Sequence, residues 1–255
     1  MDYHPFWRIP PENIQLDRDE VHIWCASLDL PDDCLSGLAK LLSCDERHKA
    51  NRFRFEQDRR HFVIGRSTLR LLLSHYLSEA PGELQFRYSP FGKPYLPKEF
   101  NKFDLRFNLA HSHGLALYAI TCGREIGVDL EYTRFLSDAE QIVARFFSEQ
   151  EESASFGLPA ERQREAFYVL WTRKEAYLKA LGCGLIQSLD RSAISSQLGR
   201  SANLQWPSTD SMEITDWFLE TLVPVPGFVA ALALLRGEYR LGFYQWIHKD
   251  AVIST

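Results

Sequence analysis

The stretch Trp171-Thr172-Arg173-Lys174-Glu175-Ala176-Tyr177-Leu178-Lys179, taken together with Gly127-Val128-Asp129-Leu130-Glu131, decides how the rest of the chain is understood. In a helix each residue turns by about 100°, so Trp171, Glu175 and Lys179 share one face, with Lys174 beside them. In a strand the side chains alternate, so Asp129 and Glu131 point one way while Val128 and Leu130 point the other. Two carboxylates on a strand and one on a helix are the oxygen ligands that a hard cation such as Mg²⁺ prefers. Two lysines next to them imply that the cation shares its site with a group more anionic than a carboxylate, and phosphate fits that description.

Each signal also has an ordinary explanation. Asp129 and Glu131 fit the solvent face of an edge strand, because most strands have one polar face. Glu175 and Lys179 fit a surface pair four residues apart on a helix. Lys93, in the turn Ser89-Pro90-Phe91-Gly92-Lys93-Pro94-Tyr95, fits a plain turn lysine. His111, between Ala110 and Ser112, fits a satisfied core histidine.

Working outward, Glu20 to Leu28 alternates and is rich in strand formers. Pro31-Asp32-Asp33 opens a helix that runs through Leu41-Leu42. Asp45 to Arg60 is densely basic, with Arg47, Lys49, Arg52, Arg54, Arg59 and Arg60 interleaved with Phe53 and Phe55. It reads either as an anion-binding surface or as a solvated helix face. A strong helix follows over Arg59 to Leu77, and Pro81-Gly82 ends it. Leu84 to Tyr88 is a short strand, and Phe107–Ser112 pairs with Leu115–Thr121 around His113-Gly114.

In the second half, Ser137-Asp138 caps a helix reaching Phe147, and Ser148 with Glu151 forms a capping box for the next. The long helix spans about Ala160 to Leu181 and stops at Gly182-Cys183-Gly184. Leu189 to Ser211 has no placeable pattern. Trp217–Leu222, Gly227–Leu235 and Leu241–Ile247 read as three closing strands. Both halves thus run helices then strands, which predicts two α+β subdomains joined near Thr121 to Gly127.

The 255 residues allow one large or two small domains. A net charge of −5 with no long basic run gives no electrostatic reason to expect nucleic acid. No apolar run is long enough to span a bilayer, and the first residues lack the pattern of a signal peptide. The five cysteines fall at no ligand-like spacing, which fits reduced thiols in the cytoplasm.

Five motifs then stand in consistent order from about Ser43 to Gly184: Gly92-Lys93-Pro94, Phe107-Asn108-Leu109-Ala110-His111-Ser112, Gly127-Val128-Asp129-Leu130-Glu131, Arg145-Phe146-Phe147-Ser148 and Trp171 to Lys179. On these the chain resembles the Sfp-type 4′-phosphopantetheinyl transferases. The resemblance implies a pseudo-dimer of two similar α+β subdomains, each a small, mainly antiparallel sheet packed on a long helix. Residues 1–124 would receive the nucleotide end of coenzyme A, and residues 125–255 would carry the metal and the catalytic helix. The family moves the phosphopantetheine arm of coenzyme A to a serine of an apo acyl or peptidyl carrier protein and releases adenosine 3′,5′-bisphosphate.

By the same resemblance, Asp129, Glu131 and Glu175 would hold Mg²⁺, or Mn²⁺ in its place. Lys174 and Lys179 would neutralise the pyrophosphate, Lys93 and Pro94 would meet the adenosine end, His111 would contact the 3′-phosphate, and Ser112 would be a further coenzyme A-binding residue. Glu175, or Glu151 through a water, would take the serine proton. Two departures stand out. Ala110 replaces a serine common in relatives, and Glu46 stands where some relatives have a lysine for the 3′-phosphate, leaving that work to Lys49 or Arg52. Arg52, Arg54 and Phe147 are the expected carrier-facing residues. One chain makes a whole site, so a monomer is expected. The rivals are a Mg²⁺-dependent phosphohydrolase and a non-catalytic module that binds coenzyme A or a carrier protein.

Overall fold

Strand β1 (Glu20–Ser27) is buried on both of its faces. Val21, Ile23 and Cys25 belong to one apolar cluster, and Trp24 and Ala26 to another, as a period of two requires. β1 therefore lies between two layers. The structure is a computed structural model and describes residues 4–135, 139–182, 201–203, 217–235 and 237–248.

After β1 come helices α1 (Asp32–Lys40), α2 (Cys44–Ala50) and α3 (Glu56–Leu77). A small hairpin, β2 (Arg87–Tyr88) with β3 (Pro94–Tyr95), carries the Gly92-Lys93 turn. Strands β4 (Leu105–Ser112), β5 (Leu115–Cys122) and β6 (Ile126–Tyr132) follow, then helices α4 (Ala139–Phe146), α5 (Glu149–Phe156) and α6 (Ala160–Leu181). The remaining strands are β7 (Ser201–Asn203), β8 (Trp217–Leu222), β9 (Phe228–Leu235) and β10 (Arg240–Gln245).

Two four-stranded sheets result, in the orders β10-β1-β5-β4 and β6-β9-β8-β7. α3 places Leu69, Leu72 and Leu73 in one cluster with Trp24, Phe107, Tyr118 and Ile120 of the first sheet. α6 joins Ala176, Tyr177 and Ala180 to Trp217, Leu219 and Ala231 of the second. Between the sheets, Val21, Ile23 and Leu117 meet Val128, Leu130 and Leu232. The layers run helix, sheet, sheet, helix, and α3 and α6 are each 22 residues long. This is the α+β pseudo-dimer that the order of elements predicts.

One grouping needs correction. β10 does not close the second sheet with β8 and β9; it lies parallel to β1, with Glu20 opposite Arg240. The physical reason is an edge: without β10, β1 would present an unpaired ladder of amides and carbonyls. Leu241 and Phe243 pack from β10 into the cluster between the sheets, and Tyr244 packs on the other side, toward the cluster that contains α3. Two smaller differences concern boundaries. α3 starts at Glu56 rather than Arg59, and only Arg87–Tyr88 of the expected strand from Leu84 is paired.

The capping box is present as expected: the Ser148 amide donates to Glu151 Oε2 at 2.7 Å, and the Glu151 amide to Ser148 Oγ at 3.3 Å. Gly182 ends α6 in the left-handed region at φ 70°. The expected cap at Ser137-Asp138, the residues Cys183-Gly184 and most of Leu189–Ser211 lie outside the described residues.

Two contacts set the site. The edge of β6 away from β9 faces β4, where the buried Asn108 accepts the Val128 amide at 2.8 Å and Ser112 Oγ accepts the Tyr132 amide at 3.1 Å. Side chains thereby stitch the two sheets where no ladder joins them. On its helix side, β6 approaches α6 so closely that a Cβ on Gly127 would overlap the Ala176 carbonyl oxygen. Gly127 is what brings Asp129 and Glu131 up to the helix.

Candidate active site

Val128 and Leu130 enter the core between the sheets, so Asp129 and Glu131 must face α6. Asp129 is 5% exposed, which rules out the solvent-face explanation for it. Lys179 does not pair with Glu175 along the helix; its Nζ donates to Asp129 Oδ1 at 2.6 Å. Asp129 Oδ2 and Glu175 Oε1 are buried and have no hydrogen-bond partner among the described residues. Burial first, then the Asp129 charge, pushes the Glu175 carboxyl up to about 7, against the pull of Lys179. The same two causes raise Glu131, opposed by Lys179, Ser112 and Trp171.

Three acid groups facing one another across β6 and α6, two of them with a buried oxygen that lacks a hydrogen bond, form a donor set suited to a divalent cation. Among the described residues no three His, Cys, Asp or Glu groups already enclose a common point. Lys179 instead supplies the nearest positive charge. Asp129, Glu131 and Glu175 are nonetheless the residues that fit a hard ion by chemistry.

Lys179 also lines a cleft of about 330 Å³ between the two halves. Lys49, Arg66, Gly92, Lys93, Pro94 and His111 line it as well. The ring of His111 has an edge open to solvent, yet the protein around it, and then Lys179, holds its pKa below the usual imidazole value. An imidazole that is neutral at pH 7 can still donate one hydrogen bond. A cleft lined with lysine, arginine and histidine beside a carboxylate site is built for a phosphorylated ligand and its counter-ion.

Comparison with known proteins agrees with that chemistry. Residues 125–233 match the family model described as the 4′-phosphopantetheinyl transferase superfamily, and residues 31–122 match one described as 4′-phosphopantetheinyl transferase, N-terminal. The 4′-phosphopantetheinyl transferase HetI of Nostoc sp. is 43% identical over 240 residues, covering 94% of this chain and 98% of the relative. The chain belongs to the 4′-phosphopantetheinyl transferase family. A putative 4′-phosphopantetheinyl transferase of Synechocystis sp. is 37% identical over 66% of this chain and 68% of its own length. The 4′-phosphopantetheinyl transferase Sfp of Bacillus subtilis is 26% identical over 78% and 84%.

Several residues expected to serve this transferase directly are used elsewhere. Lys174, adjacent to Glu175 but turned to the other side of α6, is 1% exposed. Its Nζ lies 2.7 Å from Glu151 Oε2 and donates to the Phe146 carbonyl at 2.6 Å. Lys174 and Glu151 thus tie α6 to α4 and α5, and neither lines the cleft. The Lys93 ammonium donates to the carbonyls of Ile126 and Ala180, each at 3.0 Å, with Glu125 at 3.3 Å. Lys93 therefore meets the cleft through its stem while its charge joins β6 to α6. Ser112 donates to Glu131 Oε2 at 3.4 Å, behind the carboxylates, and Arg52 is not part of the cleft.

Much of the basic run is a surface network, as its ordinary explanation holds. Arg59 pairs with Glu56, Arg60 with Asp32, and Arg47 donates to the Leu42 carbonyl. Lys49 is the exception. Sequence reasoning missed Arg66, Phe62 and Phe91 as lining residues, whereas Phe53, read with the basic run, does line the cleft. No local signal marks Arg66, since α3 also carries Arg59, Arg60, His61 and Arg70.

The buried pair makes a clear prediction for this transferase. Replacing Lys174 with methionine removes the ammonium that Glu151 pairs with and lowers stability by about 3–5 kcal/mol in chemical denaturation. Glu151→Gln is expected to be destabilising as well, while the folded fraction retains turnover within about tenfold of wild type. A loss of turnover beyond about 10³-fold in a fully folded Glu151→Gln protein would instead make Glu151 the base.

Proposed function

We propose that this chain transfers the 4′-phosphopantetheine arm of coenzyme A to a serine hydroxyl of an apo acyl or peptidyl carrier protein. The serine oxygen forms a new bond to the phosphorus bearing pantetheine, and the bond from that phosphorus to the bridging diphosphate oxygen breaks. Adenosine 3′,5′-bisphosphate leaves with the bonding electrons. The observation that carries this reading is the junction of a basic cleft with the carboxylates Asp129, Glu131 and Glu175 at Lys179.

Asp129, Glu131 and Glu175 hold Mg²⁺, or Mn²⁺ in its place, which when bound polarises the phosphoryl oxygens and offsets charge on the leaving group. Lys179 is within reach of both the carboxylates and the cleft, so its ammonium can follow the diphosphate as charge moves to the leaving oxygen. Of the two carboxylates considered for the serine proton, Glu151 is committed to Lys174 and does not line the cleft, which leaves Glu175, whose buried Oε1 has no hydrogen-bond partner among the described residues. His111 and Lys49 line the wall for the nucleotide phosphates.

Residues 1–124 receive the nucleotide end of coenzyme A, and residues 125–255 supply the carboxylates and α6, with β10 returned to the first sheet. One chain holds the whole arrangement, which fits a monomer. Arg52 and Arg54 offer exposed positive charge to an acidic carrier. Phe147 is half-buried and stacks on Phe167, which leaves it a smaller part in docking. The free thiols of Cys25, Cys34, Cys44 and Cys122 fit the cytoplasm. No helix among the described residues is long and apolar enough to cross a membrane.

The test is the intact mass of an apo carrier protein after incubation with this chain, coenzyme A and Mg²⁺. A gain of one phosphopantetheine, absent with EDTA and with Asp129→Ala, is expected. No gain across several carrier classes, with coenzyme A binding intact, would favour a binding module.

A further inference from the structure

A buried guanidinium lining the cleft has donors that no group among the described residues takes. Arg66 lies on α3 one turn before Arg70, and both approach Glu46 of α2. Arg70 is fully engaged: Nε donates to Glu46 Oε2 at 2.7 Å, and Nη1 to the carbonyls of Pro81 and Leu84, both at 2.9 Å. Arg66 is only 7% exposed, yet its Nε and Nη1 have no hydrogen-bond acceptor among the described residues. Its Nε stands 3.5 Å from Glu46 Oε1, an ion contact too long for a good hydrogen bond. The rings of Phe62, Phe86 and Tyr88 lie 5.8, 5.5 and 5.8 Å from the guanidinium carbon and fix its place.

Buried donors left unmade are costly, and buried polar groups are normally satisfied. The local charge is unbalanced as well. Lys49, Arg66 and Arg70 gather around Glu46 as their shared carboxylate, and the Lys49 pKa is lowered by burial and then by Arg66. A dianion with several acceptor oxygens answers both needs, and the guanidinium fork matches a phosphate with parallel donors.

We propose that Arg66, held in place by Glu46, grips a terminal phosphomonoester on the nucleotide donor and so selects a donor that carries one. The identity of that donor as coenzyme A rests on the transferase reading; the phosphomonoester preference does not. Glu46 is the positioning residue. Where a lysine would touch the phosphate itself, the carboxylate of Glu46 repels it and steadies a neighbouring cation instead. Its Oε2 also accepts the Ser43 amide at 3.0 Å, so the N-terminus of α2 and the two arginines are set by one group. The work expected of Lys49 or Arg52 thus passes chiefly to Arg66.

The experiment measures calorimetric binding of adenosine 3′,5′-bisphosphate and of adenosine 5′-monophosphate to the full chain. The variants are Arg66→Ala, Arg66→Lys and Glu46→Gln, each checked for folding by thermal melting. Wild type should prefer the bisphosphate by about 10- to 100-fold, and Arg66→Ala should erase that preference. Arg66→Lys should keep part of it, and Glu46→Gln should reduce it because the guanidinium loses its anchor. In transfer assays, the ratio of kcat/KM for coenzyme A over its 3′-dephospho form should fall by a similar factor in Arg66→Ala, mainly through KM. Equal weakening of both nucleotides in Arg66→Ala, or an unchanged preference, would overturn the proposal. Absence of transfer by wild type, with an Arg66-dependent preference intact, would remove the transferase reading and leave this one standing.

Discussion

Glu175→Ala is expected to abolish transfer, lowering kcat/KM by about 10³-fold or more, while the protein remains folded and still binds coenzyme A. The loss follows from removing one of three carboxylates that fit the metal; the survival follows from where Glu175 Oε1 lies. That oxygen is buried without a partner, and the carboxyl is raised to about 7. In the unfolded chain the group ionises near its ordinary value of 4.5. As pH rises from about 4.5 through 7, the unfolded state gives up this proton more readily than the folded one, so metal-free protein loses stability over that window. Alanine removes the cost. In EDTA, the variant's Tm should therefore meet or exceed that of wild type at pH 8, with the difference shrinking toward pH 5. A variant that melts far below wild type at pH 8 would mean that Glu175 is a structural partner. One that keeps full turnover would exclude it from the site, and a pure binding module would show no activity to lose.

Gly127→Ala is expected to be the most damaging single methyl group in the second half. A Cβ there meets the backbone of Ala176 and Ala180, not a side chain that could swing aside. β6 and α6 must part, at a cost of about 3 kcal/mol or more. The same displacement carries Asp129 away from Lys179, a contact now at 2.6 Å, so turnover should fall further than stability predicts. Denaturant melts with turnover measured on the folded fraction separate the two effects. An alanine variant with normal stability and activity would show that the strand and helix have room to spare.

Both predictions turn on features of unequal visibility in the sequence. The carboxylate set could be read because faces follow from period: alternation put Asp129 with Glu131, and a helical turn put Glu175 with Lys179. Caps were equally plain, since Ser148 with Glu151 and the glycine after Leu181 are local signals. The same periodicity could not say what Lys174 faces, because α5 covers it and that packing is tertiary. Lys93 looked like a ligand contact and is mostly a clamp, since its partners are two carbonyls 33 and 87 residues away. Arg66 was invisible because one arginine among several on α3 has no meaning until Glu46 and the aromatic rings surround it. β10 looked like any closing strand; only the open edge of β1 explains its place.

That last strand has a consequence for how the protein is made. The residues of β1 and β10 that pair first, Glu20 and Arg240, are 220 positions apart. At roughly 5–20 residues per second, a nascent chain carries β1 for about 10–45 s before its neighbour exists. Once β5 (Leu115–Cys122) has followed, the first sheet has β5 on one side of β1 and no β10 on the other until synthesis nears its end. Such an edge invites strands from other chains. The emerging protein depends on chaperone cover, or on slow completion of its N-terminal half, until synthesis nears its end. A truncated product ending between the subdomains would keep the sticky edge for good, so premature termination yields aggregates rather than a usable half-enzyme.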